Sequence, residues 1–474
     1  MTGLTFPARR PRPIGILAVS VLLAAGSTLA GWSGLGDRTT VPAPGAPETA
    51  VSVPIPGAGT GAFPAGSLAQ LDHNITAWTR NLEANPNDFI SATMLGTLYH
   101  ARARLTADLA DHERALEAAR TAIAIAPTQP AARNLEASIL FSLHDFRSAL
   151  ASADLLYRED RTQFAALATR ADSELELGDL DAARSDLAVL QAATSGPAVD
   201  VRLARLAAVT GDLRGSAALA RHARDAAVAE GGNTGFYEYA LGEYSRIAGD
   251  APAARAGFEA ALAVRSSDLG ALVGLARVQA FEGDLAGAIA TLEAATAIAP
   301  APEAEALLGD LLTVRASDES RPTADRAADL RAAGEAYGTV RLTRTLSALA
   351  GSVYDRQLLL FDLDHGTTDP ATLDASRASL EARPDAAGHD LVGWALHRLG
   401  RDAEALVESR VAVAAGAADA RTLFHAGAIA AALGDAAEAI RHLDAARALG
   451  PALDPIERAE ATSIRLGLVV PPRP

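Results

Sequence analysis

The sequence predicts an all-α solenoid of about ten stacked helix-turn-helix repeats, and three observations lead there. The first is periodicity. A Gly-Asp pair or an equivalent recurs with first members Ala110, His144, Gly178, Gly211, Gly249, Gly283, Gly366, Gly400 and Gly434. The intervals are 34, 34, 33, 38, 34, 83, 34 and 34 residues, and a fixed period of this size marks a repeat architecture. The second is composition: hydrophobic residues make up 49% of the chain, mostly alanine, while aromatics are only 4%. Such a core is thin and suits helices whose axes approach closely. The third is length: 474 residues are enough for about three average domains, a rule that repeat arrays escape because they grow along an axis instead of enlarging a centre.

Taken from the N-terminus, residues 1–36 have the pattern of a signal peptide or an N-terminal signal anchor. Arg9, Arg10 and Arg12 form a positive region ahead of an apolar block from Ile14 to Ala25, with Thr28-Leu29-Ala30 as a small-residue cleavage site. The block is shorter than the ~20 residues a spanning helix prefers, but Gly26 to Gly36 could extend it, so cleavage and anchoring both stay open. The chain has no cysteine, which excludes a lipoprotein signal, a disulfide framework and a thiolate metal site. Residues 37–67, rich in Pro, Gly and Ala, read as a disordered linker.

The repeats then follow from residue types. Glycine just past a helix takes the left-handed conformation at little steric cost, so it closes the first helix of each pair. Aspartate in the next place caps the second helix, at Asp111, Asp145, Asp179, Asp212, Asp250, Asp284 and Asp435. Five residues after each first member stands Ala115, Ala149, Ala183, Ser216, Ala254, Ala288, Ala371, Ala405 or Ala439, where a larger side chain would force the paired helices apart. Seven extra residues between Gly96 and Ala115 equal two helical turns and lengthen a first helix. Four extra residues before Gly249 fall in the Glu230–Thr234 loop. The 83-residue interval holds one enlarged repeat at about 301–350, with a helix from about Glu303, a polar loop and a long helix from about Ala324 to Leu349. Short helices near Leu68–Glu83 and Pro455–Arg465 cap an array spanning 68–465, and 466–474 form a disordered tail.

These features resemble the tetratricopeptide repeat, whose pattern is Leu-Gly and Tyr in the first helix, Ala and Phe in the second, and a closing Pro. Leu95, Gly96 and Tyr99 match the first part; Leu241, Gly242, Ala254, Phe258 and Ala261 match one repeat; Leu275, Ala276, Ala288, Ala295 and Pro300 match the next; Gly427, Ala439, Ala446 and Pro451 match the last. No Trp fills the Trp position. The resemblance implies a right-handed α-solenoid. The segments YDRQLLLFDLDHG, DLVGWALHRLGR and LFHAGAIAAALGD are also similar to a group of bacterial tetratricopeptide proteins with export signals, a likeness that implies architecture and no activity.

The resemblance further implies that the second, fifth, ninth and twelfth residues of each first helix face a concave groove. That places Phe236, Tyr239, Glu243 and Arg246 there as partner-binding candidates, against the alternative that the aromatics pack between repeats. Asp390, Trp394 and His397 share one helical face, and Arg421, Phe424 and His425 lie one repeat along. Trp394 and Phe424 could clamp an apolar peptide residue while Arg421 meets a carboxylate; structural packing is the competing reading.

The net charge of −16, with arginine as the only strong base, argues against a nucleic-acid surface. His365, His389, His397, His425 and His442 crowd the C-terminal third without the ligand spacing of a zinc site, so no metal and no cofactor is expected. No phosphate loop, GxSxG elbow or dinucleotide fingerprint occurs, and the periodic glycines are explained by the turns. The sequence therefore points to a non-catalytic scaffold of the cell envelope or exterior that holds a protein or peptide, touching membrane only through its N-terminal segment and only if that segment stays uncleaved. The alternative is a small-ligand or metal carrier built on the histidine- and aromatic-rich C-terminal repeats.

Overall fold

The computed structural model describes residues 68–468 except 107, 232–233, 350–355, 367–368, 415 and 417–418. The N-terminal segment, the linker and the tail beyond 468 lie outside the described residues. Among the described residues there are 22 α-helices and no strand. A leading helix α1 (Leu68–Ala84) precedes seven pairs: α2 (Phe89–Thr106) with α3 (Leu109–Ile125), α4 (Pro130–Ser142) with α5 (Phe146–Glu159), α6 (Phe164–Glu176) with α7 (Leu180–Ala193), α8 (Pro197–Val209) with α9 (Leu213–Ala229), α10 (Gly235–Ile247) with α11 (Ala251–Val264), α12 (Leu269–Phe281) with α13 (Leu285–Ile298), and α14 (Pro302–Ala316) with α15 (Thr323–Leu349). Three more follow: α16 (Arg356–Asp364) with α17 (Pro370–Ala382), α18 (Ala386–Arg398) with α19 (Asp402–Ala414), and α20 (Ala420–Ala432) with α21 (Ala436–Ala448); α22 (Pro455–Gly467) closes the array. This is an all-α solenoid of ten tetratricopeptide-like pairs.

The turn chemistry is visible at α6–α7. Gly178 sits at φ +79°, and the Asp179 amide donates back to the Glu174 carbonyl at 2.9 Å, closing α6. The Asp179 carboxylate accepts from the Ala182 amide at 3.2 Å, opening α7. One residue thus ends one helix and starts the next. Asp145, Asp212, Asp250, Asp284 and Asp435 cap in the same way, and His144 takes the left-handed conformation at φ +61°.

Four expectations require correction. Asp108, not Asp111, caps α3, accepting from Ala110 N at 2.9 Å. Asp111 lies in the first turn of α3, 1% exposed, and binds Arg102 and Arg114; the earlier start of the helix turns it inward. Ala371 is exposed, because Gly366 is not followed by an aspartate and the cap falls at Asp369; the buried place passes to Leu373. The extra residues before Gly249 go mostly into α9, which runs 17 residues where α7 has 14. The first helix does lengthen, but by less than two turns: α2 has 18 residues where α4 and α10 have 13, and the rest of the insertion goes into the earlier start of α3.

Helix pairs meet through small residues. A Cβ on Gly257 of α11 would stand 2.5 Å from the Gly242 nitrogen of α10, and Phe258, fully buried, fills the space between Gly242 and Gly274. Ala115, Ala149, Ala183, Ser216, Ala254, Ala288, Ala405 and Ala439 are all fully buried.

The array coils back on itself. The Gly178 turn faces Pro384–Asp385 between α17 and α18, Thr210 faces Gly416 between α19 and α20, and Gly249 faces Ala448–Leu449 between α21 and α22. These three within-pair turns therefore meet successive between-pair junctions about 200 residues on, and Phe281, before the next turn, reaches Gly450 of the same α21–α22 junction. A first lap, α1–α15, and a second, α16–α22, share a seam with one step per repeat.

Candidate functional site

The ninth residue of each first helix falls on one wall, and five consecutive pairs carry alternating charge there: Asp172 on α6, Arg205 on α8, Glu243 on α10, Arg277 on α12 and Asp310 on α14. Opposite charges one repeat apart neutralise a wall that like charges would destabilise. Burial pushes the Asp172 carboxyl up, against Arg202, whose Nε donates at 3.0 Å, and Arg205. Burial also works against ionised Glu243, but Arg246 outweighs it and holds that carboxyl low. Arg277 bridges Glu303 Oε1 at 2.7 Å and Asp454 Oδ1 at 2.8 Å. Asp310, raised by burial, accepts from Tyr337 Oη at 2.8 Å and meets His365 Nε2 at 2.7 Å.

Asp454 joins the two predicted patches. It stands at the start of α22 with Glu457 in a reciprocal capping arrangement, and Arg421 reaches both, 2.5 Å to Glu457 Oε1 and 3.5 Å to Asp454 Oδ2. Arg246 donates to the carbonyls of Pro451 and Ala452 at 3.2 and 3.4 Å. Burial opposes ionised Asp454, yet Arg277 and Arg421 hold it down to about 2. Burial raises Glu457, with Arg421 opposing.

Behind this network Trp394, 1% exposed, stacks on His425 at 4.0 Å and 10° and donates Nε1 to Asp364 at 2.8 Å. His425 Nδ1 lies 3.0 Å from Asp390 Oδ2; burial works against the imidazolium, but Asp390 prevails and raises it. Phe424 packs 5.6 Å from Trp394.

Of the sequence candidates, Glu243, Arg246, Asp390, Trp394, Arg421 and His425 thus fall into one connected region reaching Asp454. Phe236 is half-buried, edge-on to Tyr237 at 5.2 Å, and packs with the α8–α9 core. Tyr239 packs on Phe258 and beside Gly270. His397 pairs with Asp402 at 2.6 Å and stacks on Trp394 at 5.0 Å. His365, His389, His397 and His425 each have a separate carboxylate, Asp310, Glu408, Asp402 and Asp390. Among the described residues no three His, Cys, Asp or Glu side chains could hold a metal ion, and no helix is long and apolar enough to cross a membrane.

The sequence reading missed Arg277, Glu303, Arg205, Asp310 and Asp454. The first four were within reach: applying the second- and ninth-residue positions to every first helix, not only to α10, selects them. Asp454 had no such signal.

No protein-family model and no curated protein matches the chain. Solved structures that resemble it include a tetratricopeptide repeat protein from Parabacteroides merdae, 16% identical, covering 56% of this chain and 93% of that one at a TM-score of 0.38. The APC/C hetero-tetramer Cut9–Hcn1 is 14% identical, with 85% and 94% covered and a TM-score of 0.30. Human IFIT1 with PPP-AAAA is 15% identical, with 74% and 79% covered and a TM-score of 0.43.

Proposed function

We propose that this tetratricopeptide-like solenoid is a non-catalytic scaffold, standing outside the cytoplasm, that holds a protein or peptide against its first-helix wall. The observation that carries the reading is the ladder itself: one register of side chains, repeated over five consecutive pairs, forms a polar wall, and Arg421, the second residue of α20, stands 34% exposed beside its Asp454 link. A wall that repeats at fixed steps matches an extended or helical polypeptide, whose own groups also recur at fixed steps. The arginine-led apolar N-terminus supports the extracytoplasmic setting. The separate carboxylate on each of four C-terminal histidines favours the scaffold over a metal carrier.

The test is a photo-crosslinking residue placed at Ala280 and Ala431, the twelfth residues of α12 and α20, with Arg410 on the exposed side of α19 as comparison. A discrete adduct from the wall positions and none from Arg410 is expected. Equal adducts from all three, or none from the wall, would overturn the reading. Protein sequencing of the mature N-terminus checks the export segment.

A further inference from the structure

We propose that the seam between the two laps is a clasp that opens as a unit, swinging α17–α22 away from α5–α14 and uncovering the first-helix wall. Three observations carry this.

The first is what the seam lacks. Among the described residues each buried apolar cluster stays within one lap or at the α15–α16 join: one lies between Leu359 and Leu468, another between Leu262 and Tyr337, and the rest are likewise local. None pairs α5–α14 with α17–α22 across the seam. Separating the laps therefore sacrifices little of the apolar burial that dominates folding.

The second is what the seam contains. Arginines supply its side-chain bonds: Arg383 to Glu176 Oε2 at 2.5 Å, Arg147 to the Glu381 carbonyl at 3.0 Å, Arg246 to the Pro451 and Ala452 carbonyls, and Arg277 to Asp454. Arg383 also lies over Phe146 at 4.8 Å and Arg458 over Phe281 at 4.7 Å. Contacts of this kind weaken with salt.

The third observation decides the matter. Each ion pair crossing the seam has a second partner inside its own lap. Glu176, only 1% exposed, keeps Arg205, and Arg383 keeps Asp385 at 3.5 Å. Arg277 keeps Glu303, and Asp454 keeps Arg421. Arg246 keeps Glu243 at 2.6 Å. Breaking a buried pair is ordinarily costly because it strands a charge, and here nothing is stranded. The α16 helix packs on both sides, on the first lap through Asp310–His365 and the Tyr337–Phe361 contact and on α17–α18 through Leu359, Leu363 and the Trp394–Asp364 bond, so it is the hinge about which α17–α22 swing.

The clasp does not depend on which partner the wall takes. Because the chain has no cysteine, spin labels at Asp181→Cys and Glu381→Cys in the full chain report the seam alone. In low salt a single short distance is expected, joined by a longer one in about 1 M sodium chloride, where screening acts beyond roughly 3 Å. The double variant Arg383→Gln/Asp454→Asn removes cross-seam bonds while leaving Glu176–Arg205 and Arg277–Glu303 intact, and asparagine still caps α22. It should raise the open population by roughly tenfold or more, since it removes two largely buried cross-seam ion pairs whose remaining members, Glu176 and Arg277, stay paired in their own lap, at unchanged helical circular dichroism. An unaltered short distance in both the variant and high salt overturns the proposal. So does a lengthening that appears only in step with loss of helix.

Discussion

Replacing Gly257 by alanine and Gly334 by alanine should shift stability in opposite directions, although both glycines lie inside helices. Each substitution removes the backbone freedom that glycine loses on folding, a gain of about 1 kcal/mol in a helix interior. At Gly334 of α15 no atom lies within 4 Å of the added Cβ, so that gain stands alone. At Gly257 the new Cβ would sit 2.5 Å from the Gly242 nitrogen, 2.7 Å from its Cα and 2.9 Å from the Glu238 carbonyl oxygen. All three are backbone atoms of α10, so no rotamer change relieves the clash and the two helices must part. Overpacking of this kind costs roughly 1–3 kcal/mol. Parting α10 from α11 also loosens Phe258, which has no solvent exposure to move into. Gly257→Ala should therefore lose up to about 2 kcal/mol net, and Gly334→Ala gain about 0.5–1 kcal/mol. The measurement is the denaturant midpoint by circular dichroism, with hydrogen exchange to place the loss in α10–α11. A Gly257→Ala midpoint at or above wild type would refute the close-packing argument, as would a lowered midpoint for Gly334→Ala.

Two further perturbations test the packing of charged and aromatic groups. His100 is 6% exposed, both ring nitrogens lack a hydrogen-bond partner among the described residues, and His112 faces it edge-on at 5.5 Å. Burial first, then the Arg104 and His112 charges, push its pKa down to about 3 from 6.5. The neutral form is favoured in the fold, so the associated stability is present above pH 6.5 and lost as pH falls toward 3, by at most about 5 kcal/mol. His100→Leu should flatten the acid side of the stability profile, read as the thermal midpoint at pH 5 against pH 7.5; an unchanged profile counts against it. Trp394→Ala should cost about 3–5 kcal/mol by emptying the space beside His425 and Phe424. Trp394→Phe should cost less but leave Asp364 without its indole donor, and urea titrations of both that fell near wild type would exclude the stacked arrangement as a core element.

The repeat, its number and its turns were legible in the sequence because they rest on interactions within a few residues. A glycine's left-handed conformation at 178 and an aspartate's cap at 179 are local events, so period and residue type reveal them. Where a local competitor existed the reading slipped: Asp108 took the cap assigned to Asp111, and Asp369 moved the buried place from Ala371 to Leu373. The candidate wall was half legible. Glu243, Arg246, Trp394 and His425 stand at positions the helical period marks, but which groups satisfy them does not follow from period. That Arg277 meets Asp454 and Glu176 meets Arg383 emerges from the folded array. Those pairings depend on the small rotation between neighbouring pairs, summed over a lap of about 200 residues. No single segment encodes that sum, so the seam, and with it the wall's access to a partner, could be seen only once the solenoid had closed on itself.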